Sequence, residues 1–246
     1  MEHDTPGPIS QPWCDSVNVL VFDIDGTLTE TNRVDGEYFK AAIRAAFPDY
    51  ALDSFRGFTE FTDTAILGDI CQELGAPDYG AIERVVHDHF LAGLDAAVRS
   101  EPEAFSAVVG ATEIFAEARL HGWIPAVATG GWRASAELKL STARIPMTGV
   151  PLATSSERAR RVEIIELAVA EASQGASVSD VVYVGDGTWD VRACRELGIG
   201  FLGRGPEDTA RRLAEAGARA VVEDFGDPAR VLELAADPDA LRPRPA

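Results

Sequence analysis

The sequence predicts an α/β protein, with a Rossmann-like doubly wound parallel sheet as its core and an inserted α-helical cap domain. Short apolar runs rich in β-branched residues recur between segments with a helical period near 3.6, as in a parallel sheet covered by helices. Between residues 28 and 105 the pattern is helical, without a comparable run. Acidic and glycine-rich turns follow several of the apolar runs, where such sheets bind their ligands.

Six apolar runs predict the strands of the sheet. Each run is too continuous for a strand with one solvated face, so we expect helices to cover both faces. Right-handed crossovers should connect the strands. The predicted strands are Val17–Phe22, Ile124–Ala128, Gly149–Ala153, Val181–Val184, Ile199–Leu202 and Ala220–Val222.

The cap is predicted from three helical segments that glycine and proline separate. These segments are Tyr38–Phe47, Asp63–Leu74 and Tyr79–Val98. The two ends of the chain are rich in proline and are expected to be disordered tails. The predicted division is a discontinuous core at 17–32 and 104–237, a cap at 33–103, and tails at 1–16 and 238–246.

Composition argues against large anionic partners. The chain has 40 acidic and 22 basic residues, and its formal net charge of -18 repels nucleic acid and anionic membranes. No apolar stretch approaches the roughly 20 residues that cross a bilayer. We therefore expect no nucleic-acid and no membrane partner. Cys14, Cys71 and Cys194 are odd in number and far apart, which indicates neither a disulfide framework nor a zinc site and favours a cytoplasmic location.

Two carboxylates, Asp23 and Asp25, follow the first predicted strand. They lie at the carboxyl edge of the sheet, and the turn that Gly26 favours allows both side chains to converge beyond the strand. Taken alone, the same pattern is also typical of a solvated acidic turn.

A second acidic turn contains Asp186 and Asp190 and follows the fourth predicted strand. Asp190 has an alternative structural role, because its carboxylate can cap the helix that begins there. Four carboxylates at one sheet edge, including Asp23 and Asp25, would repel one another without a cation among them. Because oxygen-only ligands suit Mg²⁺, we expect a magnesium site formed by these residues.

The turn after the second strand is a candidate phosphate site. Thr129 offers a hydroxyl, and Gly130 and Gly131 offer main-chain amides near the start of a helix, where the dipole favours anions. Thr-Gly-Gly is also common in ordinary turns between a strand and a helix. A nearby segment, 155–163, contains three arginines, of which one can reach the site; elsewhere such a cluster is a solvated helix start.

In this order the four elements resemble the motifs of the haloacid dehalogenase superfamily, in its phosphatase branch with a helical cap. The resemblance to phosphoglycolate phosphatase-like members spans about residues 17–235 and is most specific at 23–28, 185–186 and Asp190. It implies that Asp23 is the nucleophile and forms an aspartyl-phosphate, while Asp25 is the acid/base. It further implies that Thr129 holds a phosphoryl oxygen, and that Asp186, Asp23 and the main-chain carbonyl of Asp25 hold Mg²⁺.

One position departs from the family. The third family motif usually provides a lysine, but this chain has only Lys40, in the presumed cap, and Lys139, well inside the helix after Thr129. We assign the role to Arg161, whose context resembles the Arg-x-Glu form of some capped members. Arg158 and Arg160 are alternatives.

In the cap, residues 57–66 resemble the substrate-facing segment of capped phosphatases. Thr62 and Asp63 are therefore candidates for substrate contact, and the preceding Arg56 is a separate candidate for contact with an anion. The competing interpretation makes Thr62 or Asp63 the N-cap of the following helix.

These observations predict a Mg²⁺-dependent phosphatase that hydrolyses a small phosphorylated metabolite. Two alternatives are a phosphoglucomutase-like isomerase, which returns the phosphoryl group to its substrate, and a noncatalytic ligand-binding protein on the same fold. The presence of Asp25 argues against halide displacement, because dehalogenases that resemble this chain lack the second aspartate.

Overall fold

The computed structural model describes residues 16–52, 54–55 and 57–245. Its parallel sheet has the strand order β3-β2-β1-β4-β5-β6. All six predicted strands are confirmed, although β3 is reduced to two residues. The strands are β1 (Val17–Phe22), β2 (Trp123–Ala128), β3 (Leu152–Ala153), β4 (Val178–Gly185), β5 (Gly200–Arg204) and β6 (Val221–Val222).

Strand β1 lies at the centre of the sheet and pairs with β2 on one side and β4 on the other. Its side chains alternate between two buried clusters: Leu20 and Phe22 enter one, and Val19 and Val21 enter the other. Helices cover both clusters, which confirms the doubly wound core. The first cluster is covered by α4 (Ile114–Leu120), α5 (Arg133–Thr142) and α9 (Pro228–Ala235), and the second by α6 (Arg161–Ser173), α7 (Thr188–Leu197) and α8 (Glu207–Ala216).

The winding of the chain reverses direction between β1 and β4. The chain runs outward from β1 through β2 to β3, and then crosses to the other side of β1 to form β4. Such a switch point leaves a crevice beyond the carboxyl ends of the two adjacent strands. The acidic turns after β1 and β4 therefore face the same crevice.

Between β1 and α4 the chain is helical and packs around a third buried cluster. In this cluster the ring of Phe39 lies 5.6 Å from that of Phe90 and 5.7 Å from that of Trp132, which belongs to the core. The first helix begins at Asn32 rather than Tyr38, because the polar residues of its first two turns conceal the apolar period. The helices are α1 (Asn32–Ala46), α2 (Asp63–Glu73) and α3 (Tyr79–Ser100), followed by a 3-10 turn (Pro102–Phe105). None of the described helices is long and apolar enough to cross a membrane.

Of the two tails that we predicted to be disordered, only the C-terminal one lies largely within the described residues. Residues 1–15 lie outside the described residues. The prediction that 238–246 is a disordered tail is wrong for 238–245, because this segment packs against the core. Leu241 is 3% exposed, and its carbonyl accepts a hydrogen bond of 3.1 Å from the amide of Phe201. Burial of an apolar side chain and pairing of main-chain groups offset the entropy lost on ordering this segment.

Candidate active site

Asp23 and Asp25 are brought to the sheet edge by a tight turn. Asp23 directly follows β1 and is 4% exposed. Gly26 has a φ of 73°, in the left-handed region that favours glycine. A Cβ at Gly26 would lie 1.9 Å from Nδ2 of Asn32 and 2.3 Å from Oδ2 of Asp186, so no other residue fits without displacing the site.

Three of the predicted acids form a cluster suited to a metal ion. One carboxylate oxygen each from Asp23, Asp186 and Asp190 lies within 4.8 Å of the others. In each of the three residues, the buried Oδ1 atom makes no hydrogen bond. Two of these atoms, on Asp23 and Asp190, lie 3.5 Å and 3.2 Å from the Arg161 guanidinium without a hydrogen bond. Buried carboxylate oxygens without hydrogen bonds are costly, and a hard cation with oxygen ligands would satisfy them. The donors present therefore fit Mg²⁺.

The side chain of Asp25 turns away from this cluster. The structure therefore does not bring all four carboxylates together, because that of Asp25 is bound by Lys139 and Thr31. A main-chain carbonyl ligand from Asp25 stays a prediction. Asp190 also has the structural role considered above, since its Oδ2 accepts a hydrogen bond of 3.1 Å from the amide of Gly187 at the start of α7.

The buried acids are poorly solvated when ionised. Burial, with repulsion from Asp23 second, raises the pKa of Asp186 from 3.8 to about 7. Burial also raises the pKa of Asp190 well above its ordinary value, despite the opposing effect of Arg161. A cation bound in the cluster would favour the ionised forms and reverse these shifts.

Stabilisation by Mg²⁺ is expected to increase with pH. Because the pKa of Asp186 is higher in the folded than in the unfolded protein, protonation of Asp186 stabilises the metal-free fold at low pH. This stabilisation is lost as the pH rises from 3.8 through about 7. Protons compete with the metal below that value, so Mg²⁺ should raise the melting temperature more at about pH 8 than at about pH 5.5. Differential scanning fluorimetry of the wild type and Asp186→Asn measures this. An equal shift at both pH values, or an unchanged pH dependence in the variant, contradicts the assignment.

Thr129 and Gly130 follow β2 and face the same edge. Thr129 is 2% exposed, and its hydroxyl accepts a hydrogen bond of 3.3 Å from the amide of Gly131. A Cβ at Gly130 would lie 2.6 Å from Nη2 of Arg161 and 2.7 Å from the carbonyl oxygen of Phe61. Glycine is therefore needed where the turn, the guanidinium and the cap meet.

Arg161 is the cation in contact with the acid cluster. Its Nη1 lies 3.5 Å from Oδ1 of Asp23 and 3.2 Å from Oδ1 of Asp190. Its Nη2 donates a hydrogen bond of 2.9 Å to the carbonyl oxygen of Phe61. The side chain is 5% exposed, so solvent screens these charges weakly.

The other two arginines of the segment lie elsewhere. Arg160 is about half exposed and forms an ion pair of 2.8 Å with Glu196. Arg158 donates to the carbonyl oxygen of Glu157 on the exposed surface. Of the three arginines, only Arg161, the first residue of α6, lines the crevice, whereas Arg158 and Arg160 precede the helix and are exposed.

Lys139 is a site residue that the sequence analysis missed. Its Nζ lies 2.9 Å and 2.7 Å from the two carboxylate oxygens of Asp25, and 2.5 Å from Oδ1 of Asp35 in α1. Burial lowers the pKa of Lys139, but the carboxylates of Asp25 and Asp35 raise it more, so the group stays charged. One signal was present: Lys139 occupies the buried face of α5 together with Ala136 and Leu140.

The two interpretations of Thr62 are resolved toward the helix cap. The amide of Ala65 donates a hydrogen bond of 3.2 Å to Oγ1 of Thr62, and the Thr62 hydroxyl donates one of 2.6 Å to the carbonyl oxygen of Ala159. These bonds occupy the hydroxyl that substrate contact would need. The candidate Arg56 lies outside the described residues.

Asp63 joins the cap to the phosphate turn. Its amide donates a hydrogen bond of 2.8 Å to the carbonyl oxygen of Gly130, and its Oδ2 accepts one of 2.9 Å from the amide of Trp132. Thr62 and Asp63 both line the crevice, and their contact with substrate stays a prediction.

The cap covers the crevice in this structure. The rings of Phe61, from the cap, and Trp189, from α7, stack with centroids 3.7 Å apart and planes at 5°. Between cap and core lies a cavity of about 270 Å³ that the acids, Arg161 and several aromatic rings line. Its volume suits a small molecule rather than a polymer.

Comparisons with known proteins agree with this architecture. Residues 17–198 match the model of the haloacid dehalogenase-like hydrolases. No curated protein sequence gives a match. Similar solved structures include a hydrolase from Pseudomonas syringae, with 19% identity, a TM-score of 0.69, and coverage of 88% of this chain and 98% of that chain.

Two further solved structures have the same fold. CbbY from Rhodobacter sphaeroides in complex with phosphate has 22% identity, a TM-score of 0.61, and coverage of 86% of this chain and 96% of that chain. A putative β-phosphoglucomutase from Bacteroides vulgatus has 18% identity, a TM-score of 0.64, and coverage of 92% and 91%. At these identities the likeness shows the fold alone. The family model, however, spans most of this chain, and the chain belongs to the haloacid dehalogenase-like hydrolases.

Proposed function

We propose that this hydrolase is a Mg²⁺-dependent phosphatase that acts on a small phosphorylated metabolite through an aspartyl-phosphate on Asp23. The observation that carries the proposal is the separation of two carboxylates after β1. Asp23 lies in the acid cluster beside Arg161, whereas Asp25 lies beside Lys139 and outside the cluster. Two acids in unlike surroundings can divide the work of nucleophile and acid/base between them.

In the first step, an oxygen of Asp23 forms a bond to phosphorus while the bond from phosphorus to the leaving oxygen breaks. Arg161, Thr129 and the amide of Gly130 bind the phosphoryl oxygens, on which negative charge develops. Mg²⁺, held by the acid cluster of Asp23, Asp186 and Asp190 with the main-chain carbonyl of Asp25, would supply further charge neutralisation when bound.

Asp25 moves the proton in both steps. It first donates a proton to the leaving oxygen, which departs as an alcohol. It then accepts a proton from the water that attacks phosphorus, so phosphate leaves and Asp23 is regenerated. Asp25 is suited to this role because it lines the crevice and its side chain is 15% exposed, while that of Asp23 is 6% exposed.

The cap supports a small substrate. The cap covers the crevice through the stacked rings of Phe61 and Trp189, and a covered site strengthens the electrostatic interactions within it. The cavity volume and the net charge of -18 both favour a metabolite over nucleic acid or a membrane surface. We place the activity in the cytoplasm, in keeping with the odd, widely spaced cysteines.

The test is phosphate release from a panel of phosphorylated metabolites, with and without Mg²⁺. Sugar monophosphates and bisphosphates belong in the panel, because the similar CbbY was solved with phosphate and with xylulose-(1,5)bisphosphate. Metal-dependent release supports the proposal. Conversion of a sugar 1-phosphate without release would instead indicate the isomerase, and ligand binding without turnover of any substrate would indicate a binding protein.

A further inference from the structure

We propose that Lys139 is a positioning residue that holds the carboxylate of Asp25 and couples it to the cap through Asp35. The inference rests on the proposed function, because it assigns Asp25 the proton transfer to the leaving group. Three separate parts of the chain meet at this ammonium group: the turn after β1, the cap helix α1, and the core helix α5.

The geometry leaves the ammonium group of Lys139 little freedom. An ammonium group has three N–H donors, and the structure has three acceptor oxygens within reach: two on Asp25, at 2.9 Å and 2.7 Å, and one on Asp35, at 2.5 Å. The side chain of Lys139 is 1% exposed. A buried ammonium with all three donors used fixes the orientation of the carboxylate that it binds.

Asp25 is also bound from its own loop. The hydroxyl of Thr31 donates a hydrogen bond of 2.5 Å to Oδ1 of Asp25, and this hydroxyl lies 2.6 Å from that of Thr29. The carboxylate is thus bound by Lys139 and Thr31 while part of it stays accessible from the crevice. Such fixed placement is what efficient proton transfer in a transition state requires.

Charge explains why this position contains a lysine. The cap contributes Asp35 and Asp63 to the crevice, beside the four aspartates of the sheet edge. A Cβ at Gly131 would lie 3.7 Å from Nζ of Lys139 and 3.8 Å from Oδ2 of Asp63. The carboxylate of Asp63, which belongs to the cap, therefore also lies near this ammonium group. Without Lys139, the closed cap would bury Asp35 beside Asp25 with no counter-ion between them.

The test separates positioning from mere stabilisation by varying the leaving group. In single turnovers with enzyme in excess, alcohol release from an alkyl phosphate needs the proton of Asp25, whereas 4-nitrophenolate leaves without one. Lys139→Met should slow alcohol release about 100-fold and change 4-nitrophenolate release much less. A lysine that only stabilises the fold would slow both reactions equally, and that result overturns the proposal.

A second variant tests the link to the cap and does not remove the buried lysine. Asp35→Asn should slow alcohol release selectively, and the double variant Lys139→Met/Asp35→Asn should be no slower than Lys139→Met alone. Glu37→Gln is the matched control, because Glu37 lies on the same helix, is 58% exposed and pairs with Arg33 at the surface. Additive losses in the double variant, or equal selectivity in the control, contradict the coupling. A wild type without any phosphatase turnover would instead contradict the proposed function.

Discussion

Asp23→Asn is expected to reduce phosphate release at least about 10³-fold, because the amide is a poor nucleophile. The substitution preserves the size of a side chain that is 4% exposed, so packing after β1 should be unchanged. It also removes one negative charge from the acid cluster, which weakens the proposed metal site. Phosphate release under saturating Mg²⁺ measures the loss. Mass spectrometry of acid-quenched enzyme detects the covalent phosphate on the wild type.

The control for this loss is Asp208→Asn. Asp208 is 88% exposed and forms a surface ion pair with Arg211 on α8. It should therefore retain wild-type turnover. A phosphorylated Asp23→Asn protein, or turnover within a few-fold of wild type, would reject Asp23 as the nucleophile.

Arg161→Ala is expected to lower turnover by about 10³-fold or more, since a cation that meets developing charge on a phosphoryl group contributes on that scale. The change also leaves Asp23 and Asp190 buried without the guanidinium 3.5 Å and 3.2 Å away. Removing one partner of such buried ion pairs costs about 3–5 kcal/mol, so we expect a lower free energy of unfolding as well. Steady-state kinetics and urea unfolding measure the two effects.

Two further variants separate the loss of activity from the loss of stability. Arg161→Lys keeps the charge but loses the planar fork that reaches Phe61, so its turnover should lie between wild type and Arg161→Ala. Arg160→Ala removes an exposed neighbour and should have near-normal turnover. If Arg161→Ala also has near-normal turnover, Arg161 does not bind the transferring phosphoryl group.

The two faces of the sheet each provide one cation to the acids after β1. Helix α6 supplies Arg161 to Asp23, and helix α5 supplies Lys139 to Asp25. One ion pair accompanies the proposed nucleophile and the other accompanies the proposed acid/base.

Local patterns determined much of the fold. A strand buried on both faces needs a continuous apolar run, and a helix packed on one side needs an apolar period near 3.6; both signals lie within a few neighbouring residues. The six strands, the three cap helices and the turn at Gly26 were predictable for this reason. The acidic turns after β1 and β4 were also predictable as neighbours, because parallel strands place their carboxyl ends at one edge.

Contacts between distant segments depended on tertiary structure. Lys139 meets Asp25 and Asp35 across sequence separations of 114 and 104 residues, and no local pattern encodes which buried face of α5 reaches the sheet edge. Packing of distant segments also determines which of the three neighbouring arginines, Arg161, contacts Asp23. It likewise buries Leu241 and so orders the segment around it. Apolar periodicity specifies which side of an element is buried, whereas the partner of a buried charge depends on how the elements are placed in three dimensions.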